Sequence, residues 1–218
     1  MKKVAVILSG SGVYDGAELQ ESILTLLSLD RAGVSIECFA PNKAQHHVIN
    51  HLTGEEDTSA TRNVLEEAAR INRGDVKDLA TCVAKDFDGL AVVGGFGVAK
   101  NLSSFAFEGT ACQVDETALT VFKDFATLSR PALYMCIAPA LLPAVYGEGV
   151  ELTIGNDPNT IQAIEAMGGK HIERAVEEIA VDESCNVIST PAYMLAQSIS
   201  QAAAGIENGV AQLVKMMG

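Results

Sequence analysis

The 218-residue sequence has no tryptophan, and its aromatic content is limited to seven phenylalanines and four tyrosines. Val, Ile, Leu and Ala must therefore fill any core, which suits a parallel sheet covered by helices on both faces. Cations are also scarce. Fifteen Lys and Arg stand against 28 Asp and Glu, for a formal net charge of −13. Nucleic acid and anionic membrane surfaces repel such a chain, so neither is an expected partner. No apolar run is long enough to span a bilayer. The opening run Val4-Ala5-Val6-Ile7-Leu8 is stopped by Ser9-Gly10, too soon for the apolar part of a signal peptide. CxxC spacing is absent. The five cysteines, Cys38, Cys82, Cys112, Cys136 and Cys185, read as free thiols, and a cytoplasmic location is expected.

What is present is an alternation of short β-rich runs with helical patterns. Lys3–Ser9 reads as a strand bounded by glycines. A helix follows from near Gly16, with Leu19, Ile23, Leu26 and Leu27 at helical spacing and Ala32-Gly33 at its end. Val34–Ala40 returns to strand. Residues 41–80 are more polar and read as an insertion containing a helix over Thr61–Ile71. Asp88–Val93 and the run ending at Met135 are further strands, with a helix over Val114–Leu128 between them. Asp157-Pro158 starts another helix. Ala175–Thr190 reads as a hairpin turning at Asp182-Glu183-Ser184, and Ala192–Met217 as a last helix, broken near Gly205. The pattern predicts one domain over 1–218: a doubly wound, flavodoxin-like α/β/α sandwich with a mostly parallel sheet and a hairpin in its C-terminal half. In such sheets, sites form beyond the carboxyl ends of the strands.

Three features fall at predicted strand ends. Cys136 ends an apolar run and is followed at once by Ile137-Ala138-Pro139. A nucleophile on a tight strand-to-helix turn is exposed above a sheet, and the adjacent amides favour a thiolate. Position alone leaves nucleophile and buried structural cysteine evenly matched. Gly94-Gly95-Phe96-Gly97 ends another strand, and its N–H groups could stabilise an oxyanion or simply form a tight turn. Gly10-Ser11-Gly12-Val13-Tyr14-Asp15-Gly16 imitates a dinucleotide fingerprint, but Asp15 occupies the third glycine position and would repel a pyrophosphate. Glu18 and Glu21 lie in the first turns of the first helix, where an acid could serve a thiol. The apolar stripe through Leu19, Ile23 and Leu26 places Glu21 on the solvated face. His47 and His51 are one helical turn apart and could share a metal, but no further ligand completes a set. A solvated or capping role is favoured for the His46, His47 and His51 cluster, and His171 has no assignable role.

At these same segments the chain resembles the ThiJ/PfpI superfamily, relatives of class-I glutamine amidotransferases, and within it the ElbB-type glyoxalases. The resemblance runs through Val6–Gly16, Asn50–Glu55, Gly94–Ser103, Met135–Ala140, Leu152–Gly155 and Thr190–Leu195. It implies Cys136 as nucleophile and Glu21, twelve residues before Gly33, as its acid/base partner. It further implies oxyanion or substrate contacts from Gly94, Gly95, Ile137, Asn101 and Gly155, with His51 and Pro191 near the pocket. Many superfamily members carry a histidine after the cysteine; Ile137 and Gly155 stand there here, which argues against a Cys-His-acid hydrolase. The implied activity is conversion of glyoxal to glycolate by a homodimer with no metal or cofactor. The alternative is a redox-sensing regulatory module linked to isoprenoid biosynthesis.

Overall fold

A computed structural model describes residues 1–218. Nine strands are present: β1 (Lys3–Ile7), β2 (Ser35–Ala40), β3 (Val76–Asp78), β4 (Gly89–Val92), β5 (Ala132–Met135), β6 (Glu151–Leu152), β7 (Lys170–His171), β8 (Ala180–Asp182) and β9 (Val187–Thr190). Seven of them form one sheet in the order β3-β2-β1-β4-β5-β9-β8, parallel except for β8. β6 and β7 make a separate parallel pair. The helices are α1 (Leu19–Arg31), α2 (Val64–Ala69), α3 (Phe96–Lys100), α4 (Phe105–Glu108), α5 (Glu116–Thr127), α6 (Leu142–Tyr146), α7 (Pro158–Ala166) and α8 (Ile199–Met216).

The central strands are apolar throughout because both faces are covered. Val4, Val6, Ala91, Val93, Leu133 and Met135 point into a core shared with Leu29 of α1, Val64 and Ala68 of α2, and Ile206, Val210 and Leu213 of α8. The alternate residues Ala5, Ile7, Leu90, Val92, Ala132 and Tyr134 meet Phe122 and Phe125 of α5, with Leu142, Val145 and Ile164 beyond. This is the flavodoxin-like three-layer sandwich expected, with the β8–β9 hairpin turning where the sequence placed it. Chain order reverses direction between β1 and β4, so the crevice above their carboxyl ends is the switch point of the sheet.

Four expectations are corrected. The last helix starts at Ile199, not Ala192, and runs unbroken through Gly205. A Cβ at Gly205 would lie 2.4 Å from the Val176 carbonyl oxygen and 2.9 Å from Thr190 Oγ1, so this glycine permits close packing instead of a break. Of the expected apolar stripe of α1, Leu26 is partly buried against the core, but Leu19 and Ile23 face outward at 47% and 49% exposure, joined by Leu27 at 39%. The inward face carries Glu21, Ser22, Thr25 and Ser28. Their hydroxyls fold back onto carbonyls one turn earlier: Ser22 Oγ to Glu18 at 2.6 Å, Thr25 Oγ1 to Glu21 at 2.7 Å and Ser28 Oγ to Leu24 at 2.7 Å. That self-satisfaction lets small polar side chains be buried against the sheet. Finally, His47 and His51 lie on irregular chain, not on a helix, and the one-turn spacing a shared metal would need does not exist.

Gly205→Ala should lower the thermal midpoint, by about 1–2 kcal/mol of stability, although alanine is the better helix former. Thermal denaturation checks the sign; a rise would mean that Val176 yields freely.

Candidate active site

Three turns meet above the switch point. β5 ends in Cys136, whose backbone is forced to φ +58°, a conformation that costs a non-glycine residue energy and aims its side chain out of the sheet. Its N–H is held by the Thr190 carbonyl at 3.0 Å. Residues 138–141 then form a single tight helical turn before α6, so no long helix points its dipole at the sulfur. The second turn follows β4, where Val93, buried in the core beneath α1 and α8, leads into Gly94-Gly95. A Cβ at Gly94 would sit 2.4 Å from Cys136 Cβ, 2.5 Å from Glu21 Oε2 and 3.0 Å from Cys136 Sγ. Glycine at this position leaves the gap across which the carboxyl and the thiol meet.

The third turn follows β9. Ala192 is also held at positive φ, +43°, and this delivers the Tyr193 N–H to Glu21 Oε1 at 3.1 Å. Nothing in the sequence singled out Ala192 or Tyr193 for this role. Glu21 is completely buried, and its own N–H is capped by Glu18 Oε2 at 2.6 Å. Glu21 Oε2 makes no conventional hydrogen bond; the groups it faces are the Cys136 thiol and the Gly94 N–H. Burial pushes the Glu21 carboxyl up to about 8, opposed by the Tyr193 N–H and reinforced by the charge of Glu18. Cys136 is pushed well above the usual thiol range, first by burial and then by the charge of Glu21, while the N–H groups of Gly95 and Ile137 pull the other way. The thiolate expected from the adjacent amides is thus corrected. Near neutral pH the pair holds both protons, and the first proton lost belongs to the pair, not to either residue alone.

The sulfur opens onto a cavity of about 320 Å³, and no histidine is among the residues that line it. Gly95 and Ile137 border it, and Gly94 lies just behind. Pro191 opens the turn that carries Tyr193 and does not itself line the cavity. Other expected contacts fall elsewhere. Asn101 is buried, donating to the carbonyls of Ser9 and Asp15 at 2.9 Å each and accepting from His46 N–H at 3.0 Å. Its amide is used up holding loops together. Gly155 packs under Met194 and Leu195. His51 accepts from Tyr14 N–H at 3.2 Å and lies 3.7 Å from Asp15 Oδ1, outside the cavity. The glycines that imitate a nucleotide fingerprint are also occupied. Gly12 N–H donates to Ala17 O and Gly16 N–H to Gly12 O, so these two amides are spent on other backbone.

No family model matches the chain. Among characterised sequences it is 40% identical to the human glutamine amidotransferase-like class 1 domain-containing protein 3, over 99% of this chain and 84% of that protein. It is also 40% identical to the rat ES1 protein homolog, over 98% of this chain and 82% of that one. The crystal structure of an isoprenoid biosynthesis protein with an amidotransferase-like domain from Ehrlichia chaffeensis superposes with a TM-score of 0.93 at 34% identity, each chain covered completely. Glyoxalase III from Candida albicans shares the fold at a TM-score of 0.61 and 12% identity, with 97% of each chain covered. The human and rat proteins are mitochondrial, which overturns the cytoplasmic location expected from cysteine usage. Free thiols require only a reducing compartment, so they could not separate the two.

The burial of Glu21 has a measurable cost. An ordinary carboxyl near 4.5 ionises in the unfolded chain, whereas the folded one holds its proton to about 8. Between those values the folded state binds the extra proton, so stability falls as pH rises across the window, by roughly 4–5 kcal/mol in all. Glu21→Gln should remove most of that slope, raising the melting temperature at pH 9 far more than at pH 4. Melting curves at the two pH values check this, and equal shifts would count against it. Fold and relatives agree: the chain belongs to the glutamine amidotransferase-like class 1 (ES1) family.

Proposed function

We propose that the protein is a cofactor-independent glyoxalase converting glyoxal to glycolate, with Cys136 as nucleophile and Glu21 as acid/base. The observation that carries this reading is the contact of a buried, raised-pKa carboxyl with a buried thiol across Gly94, where the thiol borders a partly open cavity. The active form is the pair after loss of one proton. Cys136 Sγ attacks one aldehyde carbon, forming a C–S bond, and the Glu21 carboxyl protonates the oxygen to give a hemithioacetal. The Glu21 carboxylate then removes the hydrogen from that carbon, forming an enediol, and returns it to the neighbouring carbon. The first carbon is now a thioester. Water attacks it, the C–S bond breaks, and the sulfur leaves as a thiol with glycolate as product. The Gly95 and Ile137 N–H groups stabilise negative charge on the sulfur and on the oxygen beside it.

A carboxyl tuned close to working pH is suited to moving a proton both ways between two carbons. The redox-sensing alternative is disfavoured by the same facts. A sensor thiol is exposed and low in pKa, and Cys136 is neither. Cys136→Ser should abolish glycolate formation, and Glu21→Gln should lower kcat by about 10²–10⁴-fold. Only about a tenth of the pair has lost its proton at pH 7 if the first loss lies near 8, so kcat/KM should rise about tenfold per pH unit below that value and then level. Glu21→Gln moves this limb to higher pH, because the buried thiol must then ionise on its own. A pH–rate profile on the wild type and both variants checks these outcomes, and a normal rate in Cys136→Ser would sink the reading.

We also infer a homodimer. Leu19, Ile23 and Leu27 form an exposed apolar stripe on α1, beyond what a solvated helix needs. Ile23→Lys should shift the mass seen by light scattering from dimer to monomer. An unchanged mass would remove this stripe from the interface.

A further inference from the structure

The cavity above Cys136 is larger and more apolar than a two-carbon dialdehyde needs. Its volume of about 320 Å³ lies in the range of pockets for far larger ligands, roughly 300–1,000 Å³. Nine of its twelve lining residues are hydrophobic, and these include Val13, Phe96, Ala99, Phe105, Ile137 and Met194. Their ring faces and methyl groups offer nothing to glyoxal, whose oxygens need hydrogen bonds. The polar members are few: Glu18, Thr160 and the Tyr193 hydroxyl, which is bonded to Gln20. Glu18 is half-buried at the start of α1 and spends one carboxylate oxygen on the Glu21 N–H. A carboxylate in that position repels carboxylated and phosphorylated ligands, as does the net charge of −13.

We propose that this pocket selects uncharged carbonyl compounds bearing an aryl or branched-alkyl group, seated against Phe96, Phe105 and Met194 with the reactive carbon at Cys136 Sγ. The inference rests on the reaction proposed above and gives its substrate class: a 2-oxoaldehyde R–CO–CHO, converted with one water to the 2-hydroxy acid R–CHOH–COOH. The aldehyde carbon is oxidised to the acid and the ketone carbon is reduced to the alcohol, so no outside oxidant or reductant is needed. The hydrogen that leaves the aldehyde carbon returns to the ketone carbon through Glu21. The large end of the molecule never reacts; its burial supplies binding, and the product's new carboxylate is expelled by Glu18.

Two measurements keep the pocket and the chemistry separable. The first compares kcat/KM for phenylglyoxal and glyoxal, with the Cys136→Ser protein as blank. The second reads alkylation of Cys136 by intact mass, using bromoacetophenone against bromoacetone, each rate divided by that of a free thiol in solution. The wild type should favour the aryl compound about tenfold or more in both, the effect expected from burying a phenyl group. Ala106→Phe, at an exposed position on the cavity wall, should reduce both preferences. Equal normalised alkylation rates would overturn the selectivity, whatever the turnover. Preferential aryl labelling without turnover of either aldehyde would leave the pocket's selectivity standing and remove the catalytic reading beneath it.

Discussion

A carboxyl group buried without a cationic partner is costly, and the site is organised around keeping Glu21 in that condition. Its neighbours reduce the cost without removing it. The Tyr193 N–H satisfies one oxygen, and the Gly94 N–H and the Cys136 thiol face the other. An Arg or Lys in the same place would have driven the pKa down and fixed the carboxylate. Left without one, Glu21 holds its proton to about 8. A group that can hold or release a proton near neutrality is what a proton shuttle requires, so the energetic penalty and the chemical competence have the same origin.

Backbone strain and glycine serve that arrangement from both sides. Cys136 and Ala192 both adopt positive φ, one to aim a thiol and the other to aim an N–H at the same carboxyl. Such strain persists only where surrounding structure enforces it. Here the enforcement comes from adjacent parallel strands, since β5 and β9 are paired up to Met135 and Thr190. Gly94 makes room for Cys136 and Glu21, and Gly95 and Gly97 let the β4 turn press against the loop after β1. A Cβ at Gly95 would be 2.4 Å from Gly16 O, and one at Gly97 would be 2.3 Å from Ser9 Oγ. The first loop is therefore locked down by glycines, and that lock sets the start of α1 and the position of Glu21.

The sequence was legible where one force dominated. β1, β2, β4 and β5 are apolar runs stopped by glycine or proline, and the hairpin turn is a polar cluster between two such runs. The tight turn at Cys136 could also be read, from the residues that follow it. Legibility failed where two forces competed. Helical periodicity assumes that the apolar stripe turns inward, yet in α1 Leu19 and Ile23 face out while Glu21 and three hydroxyl residues face in. Back-bonding of Ser22, Thr25 and Ser28 to their own helix makes that inversion tolerable, and nothing in a hydropathy pattern reports it. β3, β6 and β7 are two or three residues long, too short for any period to register. Asn101 and His51 lie in segments that resemble the family, but their polar atoms hold the first loop and its neighbours instead of facing the cavity.

The inversion of α1 links the site to the outer surface of the molecule. Once the polar face of this helix is committed to Glu21 and the hydroxyls that pack beside it, Leu19, Ile23 and Leu27 are left facing outward. Turning the helix to bury Leu19 and Ile23 would withdraw the carboxyl from Cys136. The exposed stripe is thus a direct consequence of placing an acid under the Cys136 thiol. A second surface that covered the stripe would recover hydrophobic free energy that the fold gave up to place Glu21.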